Sequence, residues 1–271
     1  MVNTVFWISV LAYGMATWII VRNHLRQVAE PSTISWWMGA VGWTAQGLLL
    51  VASLFRGGGT LSVDLAHSLN LMALAMGLLF IVGWRLDRNE ARSVGVILLP
   101  FILVLLLLSR VIPSQHPVLQ DIEDPLLIGH LTLSLLAYGL LTIAAILAVL
   151  ESFQEQALRK KQFGPMFSMF PPLGVLEDRM FWILRLGMLL LTLSILTGGF
   201  FSHQQRGVYF ALNHKVVLSW ATWLVFGLLL YGHERHGWRG RRAVRFMAAG
   251  YFFLILAYLG VKVVTELILN R

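Results

Sequence analysis

The sequence contains a series of apolar stretches, each close to the length of a membrane-spanning helix. A helix rises about 1.5 Å per residue, so about 20 apolar residues cross the hydrocarbon core of a bilayer. Eight such stretches can be drawn: 4–21, 35–54, 65–84, 94–112, 127–150, 182–201, 212–232 and 246–267. Only 13% of the residues are charged, against about 25% in soluble domains. The sequence therefore predicts an all-α, polytopic membrane helix bundle with about eight transmembrane helices, forming a single integral membrane domain over residues 1–271.

Basic residues are distributed unevenly between the two sides of the predicted bundle. Most of the 21 Lys and Arg lie in the loops that follow the first, third, fifth and seventh spans. Loops rich in Lys and Arg are retained in the cytoplasm, so we expect both termini on the outer side, N-out and C-out. The formal net charge of +8 is dispersed over these short loops. Topology and the lipid bilayer therefore explain the charge better than a nucleic-acid partner does.

Histidine is the residue type whose placement suggests chemistry. His130 and His214 begin the fifth and seventh spans at the predicted outer face, and His233 ends the seventh span at the inner face. Considered alone, such a histidine is more often a polar cap than a ligand. Two imidazoles from separate helices at one depth can, however, ligate a haem iron axially. Zinc is a further option for three histidines, but no close pair at i, i+4 supports it.

Other polar groups inside the predicted spans are few. Glu151 lies at a span end, and hydrogen bonds between helices explain Gln46 and Asn70 at least as well as a substrate path does. This scarcity disfavours a permease for a small solute without excluding it. No set of catalytic residues is identified, and the chain has no cysteine.

A basic segment follows His233. Its Gly237-Trp238-Arg239-Gly240 pattern predicts a tight turn with an interfacial tryptophan, beyond what topology alone requires. Trp238, Arg239, Arg241 and Arg242 form a candidate docking surface for a partner protein, together with the loop at 152–180. The sequence predicts that this loop begins as a polar continuation of the fifth helix over 151–162. For the loop as a whole, a solvated connector is the favoured interpretation.

Several segments together resemble the haem-handling membrane proteins of cytochrome c maturation, the CcsA, CcmC and HemX group. The segments are 129–138 (Gly-His-Leu-Thr-Leu-Ser-Leu-Leu-Ala-Tyr), 187–198, Lys215 with Trp220 and Trp223, and 232–242 with its Gly-Trp-Arg-Gly core. Over nearly its full length the chain also resembles YpjD-type inner-membrane proteins, most specifically over about 125–265. The resemblance implies a multi-pass protein of the inner (plasma) membrane, connected with cytochrome c assembly and with haem as its cofactor. It also implies that His130 is an outer axial ligand and His233 an intramembrane one.

The chain departs from this family in two places. Its loop at 202–212 has no tryptophan where synthase members carry a tryptophan-rich loop, and no histidine follows the last span. We therefore expect haem binding or handling without haem presentation, with His214 as a substitute partner for His130 and no metal beyond the haem iron. The alternatives are an accessory or regulatory membrane protein that binds a cytochrome-assembly or other membrane protein and no haem, and, less favoured, the permease.

Overall fold

The computed structural model describes residues 2–26, 28, 30, 32–56, 60–62, 65–112, 119–121, 124–161, 172–209 and 213–257. Within these residues the chain forms eight helices: α1 (Val2–Leu25), α2 (Thr33–Arg56), α3 (Leu65–Leu86), α4 (Arg88–Val111), α5 (Pro125–Arg159), α6 (Leu173–Arg206), α7 (His214–His236) and α8 (Arg241–Ile255). Each helix overlaps one predicted span, in the same order. Six of them, all but α2 and α8, are long and apolar enough to cross a membrane. The helical fold is thus confirmed, whereas the number of crossings and their orientation stay predictions; residues 258–267 of the eighth span lie outside the described residues.

A short ribbon accompanies the helices and was not predicted. Strands β1 (Thr60–Ser62) and β2 (Leu119–Asp121) pair antiparallel, with Thr60 opposite Asp121 and Ser62 opposite Leu119. Three residues are too few for the alternation of apolar and polar positions that marks a strand in a sequence.

The first of two compact units contains α1 to α4 and the ribbon. Neighbouring helices pack in the cyclic order α1, α2, α3, α4, with α4 returning to α1. Buried polar groups link three of them: the Tyr13 hydroxyl donates to Gln46 Oε1 at 3.2 Å, and Gln46 Nε2 donates to Asn70 Oδ1 at 2.8 Å. The hydrogen bonds between helices that were expected for Gln46 and Asn70 are therefore present.

The second unit contains α5 to α8. Its packed pairs are α5 with α6, α6 with α7, α7 with α8, and α8 with α5, so α5 and α7 stand at opposite corners. The middle of α5 is lined with buried small and apolar side chains such as Ala137, Leu141 and Ala144. Tyr251 on α8 donates a hydrogen bond to Thr142 Oγ1 on α5 at 3.1 Å. Most of the unit's histidine and charged side chains consequently lie toward the ends of its helices.

Candidate functional site

The three predicted histidine ligands lie in the second unit, at its two ends. Adjacent helices run antiparallel, since His130 on α5 packs against Gly198 near the end of α6, and Phe181 near the start of α6 packs against His233 at the end of α7. The start of α5, the end of α6, the start of α7 and the end of α8 therefore meet at one end, called here the His130 end. The opposite end is called the His233 end. His214 lies at the His130 end.

The ring of His130 is fixed by the backbone of α6. Its Nδ1 lies 2.9 Å from the carbonyl oxygen of Ser194. Because a carbonyl can only accept, Nδ1 carries the proton, and Nε2 of the neutral ring has the free lone pair. The Ser134 hydroxyl donates to the His130 carbonyl at 2.6 Å and lies 2.6 Å from the hydroxyl of Ser194. These bonds join α5 to α6 beside the imidazole.

Gly198 supplies the space that the His130 ring occupies. A Cβ atom built on Gly198 would lie 2.8 Å from Cε1 and 3.0 Å from Nδ1 of His130. Contacts this short are repulsive, so only glycine allows the ring to keep its present position against α6. Within the described residues, Nε2 of His130 has no hydrogen-bond partner.

This arrangement has the chemistry of a ligand. Histidines that bind metals usually donate the hydrogen of the other ring nitrogen to a carbonyl or carboxylate, which fixes the tautomer and the ring orientation. The Nδ1 contact of His130 with Ser194 has this form. Sequence analysis identified His130 as a ligand but gave no role to Ser134, Ser194 or Gly198. All three lie in the segments 129–138 and 187–198 that carry the family resemblance, and Ser134 also follows His130 by four residues, about one helical turn.

His214 is the first residue of α7 and is exposed. The preceding residue, Asn213, caps the helix by accepting a hydrogen bond from the Val216 backbone N–H at 2.9 Å. In the part of the chain that the structure describes, neither a hydrogen bond nor a ring contact joins His214 to His130. The two imidazoles share an end of the unit but come from its opposite corners.

Aromatic rings gather where α6 ends. Gly207 adopts φ 70°, and its N–H donates to the His203 carbonyl at 2.8 Å, which turns the chain back over the helix. The Tyr209 ring consequently stacks on His203 with centroids 4.1 Å apart and meets Phe200 edge-on at 6.0 Å. The loop at 202–212 contains no tryptophan, and sequence analysis gave no sign of this cluster.

His233 is held in the same way as His130 at the other end of the unit. Its Nδ1 lies 3.0 Å from the Trp238 carbonyl oxygen, so Nδ1 again carries the proton and Nε2 the lone pair. The ring stacks on Phe181 of α6 with centroids 3.5 Å apart and planes inclined by 15°. Among the described residues, its Nε2 also has no hydrogen-bond partner.

The predicted turn between α7 and α8 forms around Trp238. Gly237 and Gly240 adopt φ values of 61° and 55°, which favour glycine. The Trp238 ring contacts Gly232, lies 4.8 Å from the Phe246 ring and has the Arg242 guanidinium 4.0 Å above it. Trp238 thus fastens α7 to α8.

The arginines of the proposed docking surface have partners inside the unit. Arg239 lies 3.4 Å from Glu177, and Arg241 lies 3.4 Å from Glu155. The Arg239 side chain is nevertheless 67% exposed, so it remains reachable from solvent. Its contact with a partner protein stays a prediction.

The carboxyl group of Glu151, toward the His233 end, has unusual surroundings for an acidic side chain. Its side chain is completely buried, and neither carboxyl oxygen has a hydrogen-bond partner among the described residues. Glu155, one turn further along α5, has two arginine partners in Arg159 and Arg241. Sequence analysis placed Glu151 at a span end and gave it no role.

The described residues contain no group of three or more His, Cys, Asp or Glu side chains that could hold a metal ion.

Comparisons with known proteins cover both histidine ends. A sequence profile of the family described as cytochrome C assembly protein matches residues 37–269. The inner membrane protein YpjD of Escherichia coli strain K12 is 38% identical over 185 residues, covering 66% of this chain and 68% of that protein. The cytochrome c biogenesis protein CcsA of Guillardia theta is 26% identical over 213 residues, covering 71% of each chain. The CcsA of Trieres chinensis is 24% identical over 296 residues, covering 96% of this chain and 89% of that protein.

Proposed function

The chain belongs to the cytochrome c assembly protein family, and we propose that it binds and handles haem without presenting it on a tryptophan-rich loop. It is a multi-pass protein of the inner membrane. Relatives named as cytochrome c biogenesis proteins support a role in cytochrome c assembly.

The observation that carries this proposal is the hydrogen bond from His130 Nδ1 to the Ser194 carbonyl. It gives the ring a fixed orientation. It also leaves Nε2 of the neutral imidazole with a free lone pair, which is the form that binds iron. Haem, when bound, would supply an iron that accepts an imidazole nitrogen as a ligand. The donor chemistry of His130 therefore fits the cofactor.

The other two histidines have separate roles in this proposal. His214 is the partner of His130, because both lie at the same end of the unit and their helices face each other across the bundle. His233 is a second ligand or an entry position at the far end, because its Nδ1 is also bound to a carbonyl.

Absorption spectra of the detergent-purified chain test the proposal. The full chain is purified with haem supplied, and oxidised and reduced spectra are recorded for the wild type and for His130→Ala, His214→Ala and His233→Ala. A Soret band that disappears in His130→Ala and His214→Ala supports a haem at the His130 end. A band that disappears only in His233→Ala moves the haem to the other end.

His236→Ala is the matched control. His236 is an exposed histidine of the same helix as His233, three residues further along the chain. We expect its replacement to leave the spectrum unchanged. If no sample takes up haem, including the wild type, the haem proposal is wrong.

A second candidate function rests on the turn that follows α7. Trp238 holds this turn in one conformation, while the arginines around it remain largely exposed. An accessory protein that binds an acidic partner through this surface would need both properties. Arg242→Glu should then release a specific partner in affinity purification from membranes, whereas Arg110→Glu in the first unit should retain it. Equal recovery with both variants would contradict this function.

A further inference from the structure

Two cationic side chains at the His130 end lack acidic partners. Arg206 ends α6 and Lys215 lies in the first turn of α7; both are exposed, and neither forms an ion pair with any described residue. The His233 end differs, because four arginines there lie within 4 Å of glutamates. These are Arg159, Arg185, Arg239 and Arg241.

Among the described residues of the second unit, acidic side chains are scarce at the His130 end. Asp124 is the one acidic residue that the structure describes there in the second unit, and its Oδ1 accepts a hydrogen bond from the Leu126 backbone N–H at 2.9 Å. The Asp124 carboxylate therefore binds a backbone N–H at the start of α5. A cation in the first turn of a helix is disfavoured by the helix dipole, so Lys215 gains no stabilisation from α7. An anion near both side chains would give them a partner of opposite charge.

The backbone fixes the starting points of both side chains. Arg206 immediately precedes Gly207, whose left-handed conformation and bond to the His203 carbonyl end α6. Lys215 follows the Asn213 cap by two residues. Arg206 lies eight residues after Gly198, which contacts the His130 ring, and this spacing corresponds to about 12 Å along α6. Arg206 thus lies beyond His130, toward the end of the unit, and Lys215 lies in the first turn of α7 at the same end.

We propose that Arg206 and Lys215 bind the carboxylate groups of a porphyrin whose iron is held by His130. This inference rests on the proposed haem function and adds to it the recognition of the acidic edge of the cofactor. The planar guanidinium of Arg206 can donate two parallel hydrogen bonds to one carboxylate, and the ammonium of Lys215 pairs with a carboxylate as a point charge. The described residues of this end thus offer two cations for the two carboxylates.

The test compares iron protoporphyrin IX with its dimethyl ester, which has the same ring and iron but no carboxylate. Binding is followed by Soret titration of the detergent-purified full chain. The variants are Arg206→Gln, Lys215→Gln and the double variant, and the control is Arg245→Gln, an exposed arginine of α8 toward the opposite end of the unit. Each single variant should weaken binding of the free acid about fivefold, the value of one exposed ion pair. The ester should bind all variants equally.

The outcomes separate this inference from the proposed function. Free-acid affinity that falls to the level of the ester in the double variant, and is unchanged in Arg245→Gln, supports it. If the double variant binds the free acid as tightly as the wild type while His130→Ala does not bind, the carboxylate site is wrong and the haem function stands. Equal weakening of both porphyrins also overturns the carboxylate site. If the wild type binds neither porphyrin, both proposals fail.

Discussion

Replacing Gly198 with alanine should show whether haem binding requires the fixed orientation of the His130 ring as well as the imidazole itself. The new Cβ would lie 2.8 Å from Cε1 of the ring, whereas carbon atoms in contact lie at least about 3.5 Å apart. The ring must therefore move about 0.7 Å away from α6. The same movement lengthens the bond from Nδ1 to the Ser194 carbonyl, now 2.9 Å, to about 3.6 Å, at which it is no longer a hydrogen bond.

The expected magnitude follows from these two changes. Forcing a methyl group into a filled space costs about 1–3 kcal/mol of stability, and the lost hydrogen bond adds about 1 kcal/mol. Loss of the group that orients a ligating histidine typically lowers metal affinity about 10- to 100-fold. We therefore expect Gly198→Ala to weaken haem binding by this factor, although the His130 imidazole is still present.

Gly187→Ala is the matched control for this experiment. Gly187 lies on the same helix, and a Cβ there would approach Leu141 Cδ2 at 2.9 Å, far from either histidine end. Its substitution should lower thermal stability by a similar amount without changing haem affinity. Soret titration and the midpoint of thermal unfolding are measured for both variants.

One result would refute the reasoning about His130. If both variants lose stability but bind haem as tightly as the wild type, the orientation imposed by Ser194 and Gly198 is irrelevant to the ligand. A loss of haem affinity in Gly187→Ala equal to that in Gly198→Ala would also contradict it, because general loosening of the bundle would then explain both.

Three further substitutions test interactions within each unit. Glu151→Met replaces a fully buried carboxyl group that has no hydrogen-bond partner among the described residues with an apolar side chain of similar size. It should stabilise the chain by about 1–3 kcal/mol. The control Glu155→Met removes two ion pairs and should not raise the unfolding midpoint. Tyr13→Phe leaves Gln46 Oε1 without its donor and should lower the midpoint by a few degrees; an unchanged midpoint would mean that this bond contributes nothing. Gly237→Ala places a side chain at φ 61° and should cost about 1 kcal/mol, measured by the same assay, and a neutral effect would contradict the left-handed turn.

The helices were predictable because their cause is local. A run of about 20 apolar residues must satisfy its backbone hydrogen bonds internally in lipid, and a helix does so. The polar continuation of α5 to Arg159 was also visible, since nothing in 151–159 interrupts a helix. The ends depend on single residues, such as the Asp87 side chain that caps α4. Predicted boundaries consequently lie within two residues of the observed ones at about half of the helix ends and differ by more at the others.

The surroundings of His130 were not predictable for a different reason. Its partner is a backbone carbonyl at Ser194, 64 residues away, and every residue has a carbonyl. Gly198 is one of 24 glycines, most of which fit helix packing in lipid equally well. Only the register of α5 against α6 selects these two positions, and register in a membrane bundle comes from tertiary packing.

Trp238 illustrates how one residue type can serve two purposes. Tryptophan near a helix end predicts an interfacial anchor, and the flanking glycines predicted the turn that is observed. The ring, however, packs on Gly232 and Phe246 and leaves its own carbonyl to accept from His233. A sequence pattern can place the turn but cannot choose between lipid and protein as the surroundings of the ring.

The polar groups of the two units differ in how fully they are bonded, and this difference supports the proposal that the second unit binds haem. In the first unit, the Tyr13 hydroxyl and the Gln46 side-chain amide are both used in bonds that hold α1, α2 and α3 together. In the second unit, His130 and His233 each use one ring nitrogen in a bond within the fold and keep the other unbonded among the described residues. Intramembrane polar groups are costly, so one that is oriented but only half used is best explained by a ligand that completes it. That reasoning supports the proposal of a haem at a histidine end of the second unit and a structural role for the buried polar chain of the first.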